Sequence, residues 1–312
     1  MISVVIPFRN RFDLVKRCLN SVLNQSYNNF EIILIDDESK EVFESGFEDS
    51  RIHLIRNEKN IGPGLSRNSG MKLAKGTYLA FLDSDDYWHP DFLRLTFEKL
   101  SKNPTSILCY TFTNNVIDNH VVSVYKNNKY AFDKIVPTIF IHEKVWANSS
   151  CLWNFSFIKG KVYFEDIRAW EDYLFDFTAA LQSNHISCVP KLLCYYDMGA
   201  LEKLSNSQVN IPDKLIAVTK ISKLLKTSDL KSDPAILNSF INCYGRMISS
   251  RGLDNTRQEI SESLNELYSW TGKIYLHPIF SILFLSRSRK LRTYFIRRKL
   301  LGIPHPNKRK TA

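Results

Sequence analysis

The chain has 312 residues, 44% of them hydrophobic and 24% charged, a balance that suits a folded globular protein and excludes a disordered one. Its net charge of +10 is local: residues 287–312 hold ten Lys/Arg and no Asp or Glu, so the rest of the 42 basic residues balance the 32 acids of residues 1–286. A neutral body with a cationic end excludes a broad nucleic-acid-binding surface, and six cysteines without a C-x-x-C pair fit buried thiols in a reducing compartment better than a disulfide framework.

In chain order, residues 2–6 read as a buried strand that Pro7 stops. No basic region precedes that apolar run, so no secretory leader is expected. From Arg11 to Gln25 the apolar residues Leu14, Val15, Cys18, Leu19, Val22 and Leu23 recur at helical spacing. Glu31–Ile35 is a second buried strand ending in Asp36-Asp37, and Ile52–Ile55 a third. Gly62-Pro63-Gly64 opens a helix to about Ala74, stopped by Lys75-Gly76. Tyr78–Leu82 is a fourth strand, ending in Asp83-Ser84-Asp85-Asp86, and Pro90 starts a helix to about Ser101. Strands alternating with helices predict an α/β fold with a mostly parallel sheet, whose ligands bind at the carboxyl ends of the strands. Beyond Asn103 the pattern changes. Ile107–Thr113, Val121–Lys126, Ser150–Ile158, Ile186–Val189 and Leu192–Tyr196 read as strands, Trp170–Gln182 as a helix, and the text from Pro212 as helical.

Two strand ends carry paired acids. The three carboxylates of Asp83-Ser84-Asp85-Asp86 repel one another unless a cation neutralises them. Hard oxygen ligands there suit Mg²⁺ or Mn²⁺, with a diphosphate completing the coordination; the alternative is a solvated turn capping the next helix. Asp36-Asp37-Glu38-Ser39 either accepts hydrogen bonds from a base or ribose or caps a helix. Arg67, near the start of a helix, either reaches a base or phosphate or lies on a solvated face; the preceding glycines lack the G-K-[ST] ending of a phosphate loop. In Trp170-Glu171-Asp172-Tyr173 a carboxylate serves either as a helix cap or as a general base.

The order of these motifs resembles that of inverting family 2 glycosyltransferases of the GT-A fold. The resemblance runs through Val4–Arg11, Leu19–Tyr27, Phe30–Ser39, Asn60-Ile61-Gly62 with Arg67–Gly70, Ala74-Lys75-Gly76, Phe81–Asp86 and Glu171-Asp172-Tyr173. It is dense over residues 1–100 and ends near residue 205. It implies a nucleoside-diphosphate sugar donor, favouring UDP, a divalent cation, and a glycan or lipid-linked glycan acceptor of a bacterial surface polysaccharide. It places Pro7, Arg9, Asp36 or Asp37, Arg67 and Asp83 around the nucleotide, Asp85 with Asp86 at the metal, and Asp172 as the base. The chain departs from the family at Arg9, where Tyr is frequent, at Glu38-Ser39, where Gly-Ser is frequent, and at Tyr196-Asp197, where Tyr-Arg is frequent. The implied organisation is a donor half over 1–103, an acceptor and catalytic-base half over 104–211, and a helical region over 212–312 ending in the basic tail.

Ahead of the cationic run, Ile274–Leu285 is apolar, interrupted by Pro278 and too short to span a bilayer. With about 1 kcal/mol per Lys/Arg at an anionic leaflet, residues 274–312 have the composition of an interfacial anchor, which would hold a cytoplasmic protein at the inner face of the cell membrane. The alternative is a packed apolar helix with a solvated tail. A rival from a different class is a catalytically inactive sugar-nucleotide binder or scaffold. A nucleic-acid arm fits the neutral body poorly.

Overall fold

The computed structural model describes residues 1–44, 46–125, 130–142, 144–199 and 211–248. The chain divides into two compact units, Met1–Asn206 and Ser207–Ala312. In the first, the elements are β1 (Ile2–Phe8), α1 (Phe12–Leu23), β2 (Phe30–Asp36), β3 (Ile52–Arg56), α2 (Pro63–Leu73), β4 (Tyr78–Phe81), β5 (Tyr87–Trp88), α3 (Phe92–Ser101), β6 (Leu108–Ile117), β7 (His120–Val124), α4 (Thr138–Ile141), β8 (Cys151–Asn154), α5 (Phe155–Ile158), α6 (Glu171–Ala180) and β9 (Ile186–Asp197). In the second, the described elements are α7 (Ile211–Thr227), a 3₁₀ turn at Asp229–Ser232 and α8 (Pro234–Ile248).

One nine-stranded sheet runs β3-β2-β1-β4-β8-β6-β9-β5, with β7 paired to β6. The β3-β2-β1-β4 half is parallel, β8 is antiparallel to both β4 and β6, and β9 runs parallel to β6. Every residue of β1 and β2 is buried, which is why both strands read as unbroken apolar runs rather than alternating ones. Helix α1 lays Val15, Cys18, Leu19 and Val22 into the core beside Ile2, Val4, Ile6, Ile32 and Leu34. Helix α2 crosses the sheet so closely that a Cβ at Gly70 would overlap the Val5 side chain, so that position admits only glycine. All six cysteines are free and buried.

Three readings change, and one short strand was not anticipated. Pro7 does not stop β1, which continues to Phe8 with Pro7 opposite Ile35. The ladder to β2 uses Ile2 and Phe8, whereas Val5 serves Leu82 on the β4 side. The donor Pro7 lacks would point to the β4 side, past the last β1–β4 pair at Val5 and Phe81, where no ladder bond is needed. The stretch Ser150–Ile158 is a strand only to Asn154 and then turns into α5. The two strands expected at 186–196 are one, β9, whose register slips beside Thr111–Thr113, where the exposed Pro190 and Lys191 bulge out. Strand β5, two residues long and set by pairing Tyr87 with Tyr195, lies below the length at which periodicity is visible.

In the second unit the helical spacing beyond Pro212 is realised, with Leu215, Val218, Ile221 and Leu225 of α7 and Ile236, Phe240 and Ile241 of α8 buried. Among the described residues no helix is long and apolar enough to cross a membrane. The apolar stretch 274–285 and the cationic run 287–312 lie outside the described residues.

Candidate active site

Because β1, β2 and β4 are parallel, their carboxyl ends open on one edge of the sheet, and the paired acids gather there. At the end of β2 both carboxylates are turned to the protein. Asp37 is 5% exposed and accepts hydrogen bonds from Asn57 Nδ2 (3.0 Å), the Ile61 amide (2.9 Å) and the Gly62 amide (2.8 Å). It thereby shapes the loop that leads into α2. Asp36 accepts from the Ser39 amide (2.8 Å) and pairs with Arg56 (3.2 Å). Arg9 forms an exposed pair with Glu38 (3.5 Å) above them.

After β4 the chain presents its acids to different surroundings. Asp86 is fully buried: Ser149 Oγ donates to one oxygen (2.6 Å) and the Asp197 amide to the other (3.1 Å). Ser149 Oγ also accepts from the Asp83 amide (3.1 Å), so one hydroxyl fixes both ends of the acidic turn. Asp85 pairs with Arg11 (3.3 Å), while Arg17 donates to its carbonyl (2.5 Å) and to the Asp197 carboxylate (2.7 Å). Asp83, about a third exposed, pairs with Arg67 (2.5 Å). Among the described residues no three His, Cys, Asp or Glu converge to hold a metal by themselves. Asp83 and Asp85 are hard carboxylates of the kind that Mg²⁺ or Mn²⁺ favours, two where such an ion takes more ligands.

Arg67 is the hub. It projects from the first turns of α2, is 3% exposed, and lies over the Phe164 ring (5.2 Å). Besides Asp83 it faces Glu171 (3.6 Å) at the start of α6. Burial opposes its charge, but Asp83 and Glu171 raise its pKa above the ordinary value. The neighbouring Asn68 ties the two regions together: its Nδ2 donates to the Phe164 carbonyl (2.8 Å) and its Oδ1 accepts from the Phe164 amide (2.9 Å).

Helix α6 opens on Trp170 in the left-handed region (φ 63°), stacked on Tyr173 (4.8 Å), followed by Glu171 and Asp172 in the first turn. A bulky residue at positive φ is uncommon and marks a position held by its surroundings. Burial and the charge of Asp172 push the Glu171 carboxyl up to about 7, against the pull of Arg67. Burial works to raise Asp172 as well, but the ammonium of Lys144, 3.0 Å away, together with Arg67 and the Tyr173 amide, holds that carboxyl below its ordinary value. Its other oxygen accepts from the Tyr173 amide (2.9 Å), and the side chain keeps about a quarter of its surface exposed.

The structure therefore brings Arg67, Asp83 and the Glu171-Asp172 pair into one polar centre, with Asp85 beside Asp83, and uses Asp36, Asp37 and Asp86 as buried anchors. Sequence reasoning missed Lys144, Ser149 and Arg17. Each comes from a stretch whose local pattern carries no motif, and only the fold brings them to the acids.

The family model "Glycosyl transferase family 2" matches residues 3–157. An Escherichia coli protein named UDP-Glc:alpha-D-GlcNAc-diphosphoundecaprenol beta-1,3-glucosyltransferase WfgD is 31% identical over 153 residues, 47% of this chain and 56% of that protein. The putative teichuronic acid biosynthesis glycosyltransferase TuaG of Bacillus subtilis is 37% identical over 103 residues, 31% of this chain and 41% of that protein. The chain thus spans about half the length of these curated relatives. The crystal structure of S. aureus TarS residues 1–349 superposes with a TM-score of 0.72 at 20% identity, covering 96% of this chain and 91% of that one; the same protein has been solved with UDP and with UDP-GlcNAc. At that identity the likeness speaks for the fold.

Proposed function

With residues 3–157 forming a glycosyl transferase family 2 domain of the GT-A fold, we propose that the chain is an inverting glycosyltransferase. It would move a sugar from a nucleoside-diphosphate donor, a UDP-sugar in our reading, to a hydroxyl of a glycan or lipid-linked glycan in surface-polysaccharide synthesis. The observation that carries the proposal is the buried Arg67, which joins the acid at the end of β4 to the acids that open α6. One charged side chain thus couples a place for the donor diphosphate to a place for a base.

In this reading Asp83 and Arg67 border the nucleotide, with Pro7 and Arg9 at the neighbouring strand end, and Asp36 and Asp37 hold the pocket's walls. Mn²⁺ or Mg²⁺, when bound by Asp85 with Asp83, supplies positive charge to the departing diphosphate. Asp86, locked between Ser149 and Asp197, shapes the acidic turn rather than touching the ion. Asp172, kept ionised by Lys144, takes the proton of the acceptor hydroxyl. The freed oxygen attacks the anomeric carbon from the face opposite the diphosphate, the bond to the diphosphate breaks, and the configuration inverts. The donor would be held by residues 1–103, the acceptor and base by 104–211. A panel of sugar nucleotides with Mn²⁺ should include one that raises the melting temperature by several degrees, and acceptor should then trigger release of nucleoside diphosphate. Donor binding without release on any glycan or lipid-linked acceptor would leave a sugar-nucleotide binder instead.

From the composition of residues 274–312 we infer peripheral attachment to an anionic membrane, where a lipid-linked acceptor lies. Vesicles containing anionic lipid should float the full chain and not a chain ending at Lys273. Equal flotation of the two would refute the anchor.

A further inference from the structure

Lys144 is 2% exposed, and an unpaired ammonium at such depth would be costly. All three of its protons are used. They go to Asn148 Oδ1 (2.5 Å), Asp172 Oδ2 (3.0 Å) and Asp176 Oδ2 (3.2 Å). Asp176 is itself fully buried and takes a second hydrogen bond from Trp146 Nε1 (2.9 Å), while the Lys144 amide donates to the Tyr173 hydroxyl (2.7 Å). The segment 144–148 is therefore fastened to α6 at three positions, Asp172, Tyr173 and Asp176. Asp172 and Asp176 stand four residues apart on one face of the helix, where like charges repel, and the ammonium sits between them.

On the reading that Asp172 is the base, we propose that Lys144 is a positioning residue that fixes both the orientation and the ionised state of the Asp172 carboxylate. The groups facing Asp172 are few. Lys144 comes from the segment before β8, Glu171 and Asp176 from α6 itself, Arg67 from α2, and Tyr125 from the end of β7; the Cys151 thiol of β8 faces Lys144 and Asp176. Of the two cations, Lys144 alone makes a hydrogen bond to Asp172. Arg67 is committed to Asp83 and Glu171. Taking Lys144 away leaves Asp172 between a buried carboxyl and Glu171 with the more distant Arg67 as its cation, and both neighbours disfavour the charged form. The sign follows: the base works ionised, an opposite charge within hydrogen-bond range lowers a carboxyl by about one to three pH units, and its loss raises the carboxyl by a similar amount.

The experiment compares the full-length protein with Lys144→Gln and Lys144→Met, the first keeping a polar group in place and the second removing it. Asp176→Asn cuts the same network on the side away from Asp172 and serves as the contrast. Two quantities are read: the acidic limb of kcat/KM against pH, and the carboxyl ¹³C titration of Asp172, which needs no turnover. Both Lys144 variants should move the limb and the Asp172 midpoint upward by about one to three units. Below the raised midpoint they should lose about tenfold in kcat/KM for each pH unit, down to the wild-type midpoint, and above the raised midpoint they should recover toward the wild-type rate. Asp176→Asn should not move either quantity upward. If Lys144 only holds the core together, all three variants would lose melting temperature, rate would fall equally at every pH, and the Asp172 midpoint would stay put; that result overturns the proposal. A wild-type protein that releases no nucleoside diphosphate with any donor and acceptor overturns the transferase reading instead, and the ¹³C titration still decides whether Lys144 sets the state of Asp172.

Discussion

Asp172→Asn should lower turnover by about 10²–10⁴-fold, the range in which a positioned general base contributes, while the affinity for donor stays within a small factor of the wild type. The substitution is nearly isosteric. An asparagine oxygen can still accept from the Lys144 ammonium, which keeps Asn148 and Asp176 as partners, so the buried cation is not stranded. What is lost is the capacity to take a proton. Stopped-flow release of nucleoside diphosphate in the presence of acceptor measures the rate, and calorimetric titration of the donor measures the affinity. Near-normal turnover would remove Asp172 from the mechanism and move attention to Glu171, whose carboxyl is pushed up to about 7 by burial and by the neighbouring Asp172.

The second large effect concerns the acidic turn after β4, where two adjacent carboxylates should behave differently. Asp85→Ala should weaken donor binding in the presence of Mn²⁺ by roughly ten- to hundredfold, corresponding to a lost charged contact of about 1.5–3 kcal/mol, and should remove most of the difference between titrations with and without the ion. Stability should hardly change, since the ion pair with Arg11 is partly solvated and such pairs contribute about 0–1 kcal/mol. Asp86→Ala should do the opposite in the first instance. It orphans the buried Ser149 hydroxyl and the Asp197 amide, each a loss of about 1–3 kcal/mol, so the melting temperature should drop clearly. Unchanged donor affinity in Asp85→Ala, with and without Mn²⁺, would remove it as a metal ligand. A stable Asp86→Ala protein that had lost only cation dependence would transfer that role to Asp86.

Much of the architecture of residues 1–103 was legible because parallel strands covered on both faces write themselves as continuous apolar runs, and β1 and β2 are such strands. The acids at their ends were legible for the complementary reason: a charged cluster directly after a buried run must have a cause. Which acid faces outward was not. Asp36, Asp37 and Asp86 look no different in sequence from Asp83 and Asp85, and the distinction arises from partners supplied by remote segments, Arg56, Asn57 and Ser149. Pro7 misled because a proline's effect depends on which neighbour its missing donor would have faced. Lys144 was invisible for a sharper reason. A lysine in a short irregular segment ordinarily signals solvent, and only the arrival of α6 against that segment buries it.

The paired hydrogen bonds between Asn68 and the Phe164 backbone have a consequence for how such a chain can diversify. They act as a gauge on length. Phe164 stands eight residues ahead of Asp172, and an insertion or deletion between them would either pull Phe164 off Asn68 or carry the carboxylate away from Lys144 and Arg67. That stretch can drift by substitution but not by changes in residue number. The exposed turn at Asp118-Asn119, held to the body by a single side-chain bond from Arg17 to Asn119 among its described contacts, is under no such ruler. Changes of length are therefore expected to be tolerated in the β6–β7 hairpin, while the 160s keep count.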